Sequence, residues 1–384
     1  MSEWDVYNKN SYNEGNRIAT SSDPTWSLED NVGHTPISLA HAPCGYWPKG
    51  IVAPINPRSY SYITALSSNP PQLVSRINYY TSAIDPTSGS IVGCASVPGL
   101  FPTVYNGKLY MWGLKTNNDW FQVYEFDLET KIHTRTLQVA SVAFGVGPGY
   151  RVGNMLYVCC ASDNYGGANY RMRIHEVDLD TFTTTGRMVG VPFSYGTLLN
   201  LTIAGSLMFL ISWTHVIVFD FASFTYITNT QYSSGSDGYQ AGINNERTEC
   251  IVARNNNTPC LMKLSLANPP VILGTQNTTW LPTSDSMGLA VDANNNVYIS
   301  DKFNLKLYKF NLTAFDTPVL YDYLSTGTIF TGLVCAGEDL WCANNYTWID
   351  AYRKIVRIKT ATMAVDHIID LPAWGDIIYS VIVY

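Results

Sequence analysis

The chain has 384 residues, 13% of them aromatic and 14% charged, with a formal net charge of −7 and no basic stripe. That balance lacks the positive footprint of a nucleic-acid binder, so nucleic acid is not expected as a partner. No run of about 18 apolar residues occurs, and the opening MSEWDVYNKNSYNEGNRI has no apolar core, so neither a membrane-inserting segment nor a secretory signal is expected.

Residues 1–49 are polar at first and then rich in Gly, Pro and His, with no repeated pattern, and read as an N-terminal arm or linker. From residue 50 to 384 an imperfect unit recurs about every 45 residues, the signature of one repeat domain. Its second strands are predicted at YSYITAL from Tyr60, KLYMWG from Lys108, MLYVCCA from Met155, SLMFLIS from Ser206, CIVARN from Cys250, NVYISD from Asn296 and DLWCAN from Asp339. Each alternates or is apolar throughout, as expected of strands buried on both faces by neighbouring sheets. Third strands end on a step into a turn at Asp85, Asp127, Asp178, Asp220, Ser265, Asn311 and Lys359. Seven such anchors predict seven units.

The clearest unit is GLAVDANNNVYISDKFNLKLYKF, Gly288 to Phe310, in which Asn-rich turns separate short β-patterned runs. It resembles one blade of an NHL-type β-propeller, and NGKLYMWG followed by VYEFDLETK resembles a kelch blade without that family's paired glycines. The resemblance implies an all-β fold, a β-propeller of seven blades with four antiparallel strands each. The last stretch, GDIIYSVIVY (Gly375 to Tyr384), reads as an innermost strand that pairs into the first blade. Because GIVAP (Gly50 to Pro54) competes for that place, an eighth, partial blade built with the arm is the alternative.

Few residues offer chemistry. Eight cysteines (Cys44, Cys94, Cys159, Cys160, Cys250, Cys260, Cys335, Cys342) form no C-x-x-C pair and mostly sit in apolar strands, so buried thiols are expected. His34, His41, His133, His175, His215 and His367 fall at no metal-ligand spacing. The run DANNN (Asp292 to Asn296) alternates oxygen ligands like a calcium loop, but it lacks the central glycine and closing glutamate and reads as a hairpin turn. Sequons at Asn200, Asn256, Asn277, Asn311 and Asn345 follow from an Asn/Thr-rich composition. No catalytic residue, metal or cofactor is expected.

A propeller places the loops between second and third strands, and those between blades, on one face. The predicted second-to-third loops are rich in amides and aromatics, which suit sugars because C–H faces stack on rings while hydroxyls need directional partners. The residues singled out for binding are Asn117, Asn118, Asp119 and Trp120, then Asp163, Asn164, Tyr165 and Tyr170, and finally Asn345, Tyr346 and Trp348. The junctions between blades add Phe101, Phe144, Tyr195, Tyr239, Trp280, Phe330 and Trp374, expected mostly as wedges.

An Asn/Ser/Thr/Tyr-rich repeat with few charges and a polar arm points to a non-enzymatic structural and binding protein of a virus particle. This would be a phage tail or capsid-attached component located in the virion. Its arm would hold other virion proteins, and one face would touch a cell-surface glycan or receptor. The alternatives are a cytoplasmic kelch- or NHL-like interaction scaffold and a carbohydrate-active lyase or hydrolase.

Overall fold

The fold comes from a computed structural model. It describes residues 51–56, 62–66, 73–78, 103–114, 121–127, 133–140, 145–162, 171–190, 198–233, 238–254, 261–276, 286–301, 306–315, 319–322, 330–336, 338–344, 354–370, 377–378 and 382–383. Residues 1–49, expected as an arm, lie outside this set.

Nearly every element is a strand. In chain order, β1 (Ile51–Asn56), β2 (Tyr62–Leu66) and β3 (Leu73–Asn78) open the fold. Sheet 2 holds β4 (Thr103–Tyr105), β5 (Lys108–Leu114), β6 (Phe121–Asp127) and β7 (His133–Ala140). Sheet 3 holds β8 (Gly145–Val152), β9 (Met155–Ser162), β10 (Arg171–Asp178) and β11 (Thr183–Gly190). Sheet 4 follows with β12 (Leu198–Ala204), β13 (Leu207–Ser212), β14 (His215–Asp220) and β15 (Thr225–Gln231). Sheet 5 is β16 (Gly238–Ile243), β17 (Glu249–Arg254), β18 (Leu261–Ser265) and β19 (Ile272–Gln276). Sheet 6 is β20 (Ser286–Val291), β21 (Asn296–Asp301), β22 (Lys306–Asn311) and β23 (Val319–Asp322). Sheet 7 is β24 (Phe330–Ala336), β25 (Asp339–Asn344), β26 (Lys354–Lys359) and β27 (Ala364–Asp370), after which come β28 (Ile377–Ile378) and β29 (Ile382–Val383).

Among the described residues these strands form seven antiparallel sheets, six of them four strands running consecutively. In sheet 1 both β28 and β29 pair with β1, followed outward by β2 and β3. The two segments expected to compete for one place therefore occupy adjacent ones, with the C-terminal stretch innermost and GIVAP beside it. This corrects one assignment. YSYITAL, expected as a second strand, supplies the third, because the innermost position is filled from the far end of the chain.

The chain divides into two compact units, whose described residues lie between 51 and 140 together with 331–383, and between 145 and 330. The first contains sheets 1, 2 and 7; the second contains sheets 3 to 6. Within the second unit the first strands β8, β12, β16 and β20 lie successively side by side. Apolar clusters fill each gap. Leu201, Met208, Ile217 and Phe219 pack on Tyr157, Cys159 and Ile174 between sheets 3 and 4, and Phe209, Val216 and Val218 pack on Val252, Met262 and Leu264 between sheets 4 and 5. Ile251, Ala253 and Leu261 meet Leu289, Ile299, Tyr308 and Phe310 between sheets 5 and 6.

This packing explains the strand sequences. β13 is buried along nearly its whole length and is apolar up to Ser212, whereas the outermost β11 is largely exposed, β15 is exposed or half-buried throughout, and both are Thr-rich. In every sheet except sheet 6 the third-to-fourth pairing carries a register shift, which bends the outer strand and blunts an edge that could otherwise recruit another strand.

The repeated anchors have a local cause. The Asp178 carboxylate accepts from the backbone N–H groups of Asp180 (2.9 Å) and Thr181 (3.3 Å), and Asp220 accepts from Ser223 N–H at 2.6 Å. Ser265 accepts from Val271 N–H (2.8 Å) and Asn311 from Thr313 N–H (3.0 Å). Each anchor thus satisfies the third-to-fourth connection that it begins, as short polar side chains do. Asp127 and Lys359 instead form ion pairs with Lys108 and Asp339 across the neighbouring strand. Four residues beyond three of the anchors, Phe182, Phe224 and Met363 take left-handed backbone angles of φ 54, 56 and 55°. Both phenylalanines are buried, so packing holds a conformation that such residues seldom adopt. Asp85 lies outside the described residues. The first-to-second hairpin of sheet 2 turns on Asn106 and Gly107, at φ 46 and 71°, the pair that a two-residue turn of this hand requires.

Successive sheets of the second unit are also fastened at their rims. Arg187 on β11 donates to the carbonyls of Phe221 (3.1 Å) and Ala222 (2.9 Å), Thr230 on β15 to that of Pro270 (2.7 Å), and Gln276 on β19 to that of Phe315. Each acceptor lies in the third-to-fourth connection of the next sheet.

At Gly242 on β16 an added Cβ would stand 2.7 Å from Val291 Cγ2 and would also meet Leu289, so Gly242→Ala should lower stability to denaturant by about 1–3 kcal/mol through overpacking. Gly190→Ala, where nothing stands within 4 Å, should change it by less than about 0.5 kcal/mol. Deleting Gly375 to Tyr384 strips β28 and β29 from β1 and should leave an aggregating protein. A soluble monomer with unchanged melting would show that this pairing is dispensable.

Candidate functional site

All eleven residues singled out for binding lie outside the described residues, so their side chains have no structural account. Their sequence positions do. Asn117, Asn118, Asp119 and Trp120 fall between β5 and β6, the second and third strands of sheet 2. Asp163, Asn164, Tyr165 and Tyr170 fall between the corresponding β9 and β10, and Asn345, Tyr346 and Trp348 between β25 and β26. Of the junction aromatics, Tyr239 lies in β16 and Phe330 begins β24; Phe101, Phe144, Tyr195, Trp280 and Trp374 lie outside the described residues.

One loop of this class is described in full, the Trp213–Thr214 turn between β13 and β14. Ser212 Oγ accepts from His215 N–H (3.1 Å) and donates to the His215 carbonyl (3.2 Å), closing the turn on itself. Thr214 Oγ1 meets His215 Nδ1 at 2.7 Å. The Thr214 carbonyl accepts from Tyr232 N–H (2.9 Å), and the Tyr232 hydroxyl donates to the Ser212 carbonyl. From the next sheet, buried Arg254 donates to Ser233 Oγ at 3.0 Å. Trp213 packs, half-buried, on the cluster between sheets 4 and 5. Burial lowers the His215 pKa, so this imidazole stays neutral around pH 7. The turn is a fastened platform whose aromatic ring serves the packing beneath it.

The titratable side chains at the heart of the sheets follow a pattern that the sequence reading missed. An aromatic on the second strand stands opposite a charged residue on the third: Tyr110 and Glu125, Tyr157 and Glu176, Tyr298 and Lys309, Trp341 and Arg357. In sheet 2, Glu125 accepts from Tyr110 Oη (3.1 Å), Thr134 Oγ1 (2.6 Å) and Arg135 Nε (3.0 Å). In sheet 3, Glu176 accepts from Thr185 Oγ1 (2.8 Å) and Arg187 Nη1 (2.7 Å). In sheet 7 the sign reverses, and Arg357 lies 5.7 Å over the Trp341 ring and pairs with Asp366. Lys309 sits 5.7 Å over Tyr298. The recoverable signal was the paired phrase: a Leu/Val-Tyr/Trp step in one strand and a charged residue two positions before the anchor in the next.

These carboxylates and cations brace the sheets. Burial alone would raise the Glu125 pKa, but the hydrogen bonds from Arg135, Thr134 and Tyr110, with the Arg135 charge, hold it below the ordinary 4.5. Burial, followed by the Glu125 charge, lifts the Tyr110 hydroxyl well above its usual range. His175 is also a core residue, pushed down to about 4 by burial and by the Arg173 charge. The thiols behave alike: Cys159, Cys160, Cys250 and Cys342 are buried, and burial drives Cys160 and Cys250 up to about 12. Such thiols are unreactive.

Asp292 resolves the calcium-like run as a turn. Its Oδ1 accepts from the N–H groups of Asn294 and Asn296, both at 2.8 Å, and its Oδ2 from Asn296 Nδ2 (2.8 Å) and Tyr298 Oη (2.9 Å). Asn295 takes φ 60° at the bend. Two sequon asparagines are likewise engaged, Asn200 donating to the Ala241 carbonyl (2.9 Å) and Asn311 to that of Asn294 (2.8 Å).

Repeated consecutive four-stranded sheets with their first strands side by side can be set beside known structures. A putative 6-phosphogluconolactonase from Bacteroides fragilis NCTC 9343 matches with a TM-score of 0.59 at 11% identity, over 86% of this chain and 96% of that one. A functionally unknown protein from Desulfotomaculum acetoxidans DSM 771 matches with a TM-score of 0.57 at 12% identity, over 87% and 98% of the two chains. The fold is a β-propeller. At such identities the likeness carries the fold alone, without subfamily or activity. No family model matches the sequence, and no curated protein matches it.

The Glu125 network generates a prediction. Glu125→Gln leaves Arg135 without its carboxylate partner and should cost about 1–3 kcal/mol at pH 7. Because the folded carboxyl ionises at lower pH than the unfolded one, its stabilisation is complete above 4.5 and is lost as pH falls through the folded value. In urea melts taken from pH 7 downward, the gap between the two proteins should therefore narrow toward acid.

Proposed function

We propose that this propeller is a non-enzymatic binding and structural protein that grips its partner with the second-to-third loops, and that its setting is a virus particle. The observation that carries the non-enzymatic reading is the use made of ionisable groups. Among the described residues, Glu125, Glu176, Asp292, Asp339 and Arg357 are buried and committed to cross-strand or turn contacts that brace the sheets. The loops that join the braced strands are instead rich in Asn, Tyr, Trp and Asp, with Trp120 and Trp348 the side chains best suited to anchor a partner. A sparsely charged, Asn/Ser/Thr/Tyr-rich sequence and a polar segment over residues 1–49 support the virion setting, in which that segment holds neighbouring virion proteins and the loops meet a cell-surface glycan or receptor.

The test compares three tryptophans. Trp120→Ala and Trp348→Ala should each weaken binding to whole host cells or to a partner virion protein by about 1–3 kcal/mol while leaving the melting temperature unchanged. Trp213→Ala, which removes a ring packed on the core, should by contrast lower the melting temperature. Loss of stability at Trp120 and Trp348 with intact binding would move the functional surface elsewhere. In parallel, trimming residues 1–49 should abolish incorporation into purified particles. Absence of the full chain from such particles would favour the cytoplasmic scaffold.

A further inference from the structure

We draw no further inference here: the strongest candidate, the exposed apolar run Val271, Ile272 and Leu273 at the outer edge of sheet 5, leads into a five-residue strand whose register shift discourages strand addition, and nothing in the structure shows what covers it.

Discussion

Burial of both faces of a sheet against its neighbours is the constraint on which the second unit depends. A four-stranded sheet has two apolar faces and cannot bury either alone, so sheets 3 to 6 are stabilised through their neighbours within the unit. The contact is close enough that glycine is required where inner strands approach: at Gly147 an added Cβ would stand 2.5 Å from Leu198 Cδ1 and 2.9 Å from Cys159 Cβ. At the rim, where apolar area runs out, side chain-to-carbonyl hydrogen bonds from Arg187, Thr230 and Gln276 take over, each reaching the same connection of the following sheet. These bonds also satisfy carbonyls that the tight third-to-fourth connections leave outside the strand ladders.

The polar rows inside the sheets follow from the same geometry. The middle strands are covered on both faces, so a charged residue on the third strand must carry its own partners into the interior. Glu125 and Glu176 do so with an aromatic hydroxyl on one side and an arginine with a threonine on the other. Arg357 uses the opposite sign with Trp341 and Asp366. The row tolerates either charge because what it needs is satisfaction, not a particular ion. A chain with only 14% charged residues thus places several of them where they brace structure.

Sequence and structure agree best where the cause is local. The third-strand anchors were legible because Asp178, Asp220, Ser265 and Asn311 begin turns with their own side chains, a requirement that recurs wherever the turn recurs. Asp292 was legible as a turn for the same reason. The aromatic-to-charge rows were not read, because their members lie on different strands and are brought together only by register, as Tyr110 and Glu125 are. The candidate site was legible only as composition and topology: its loops join second and third strands, while the positions of Asn117, Tyr165 or Trp348 depend on contacts that no periodicity encodes.

By itself, then, the amino-acid sequence determined an all-β repeat, the place of its turns, and strands apolar enough to be covered by neighbours, since hydrophobic alternation and Asn- or Asp-capped turns act over a few residues. Only the tertiary structure decided which segment is innermost in sheet 1, because β28 and β29 reach β1 from the far end of the chain, and a pairing across that separation leaves no local trace. It also decided that Trp213 supports the core beneath its turn. An aromatic ring in a loop has the same sequence signature whether it faces a partner or the next sheet, and only packing distinguishes the two.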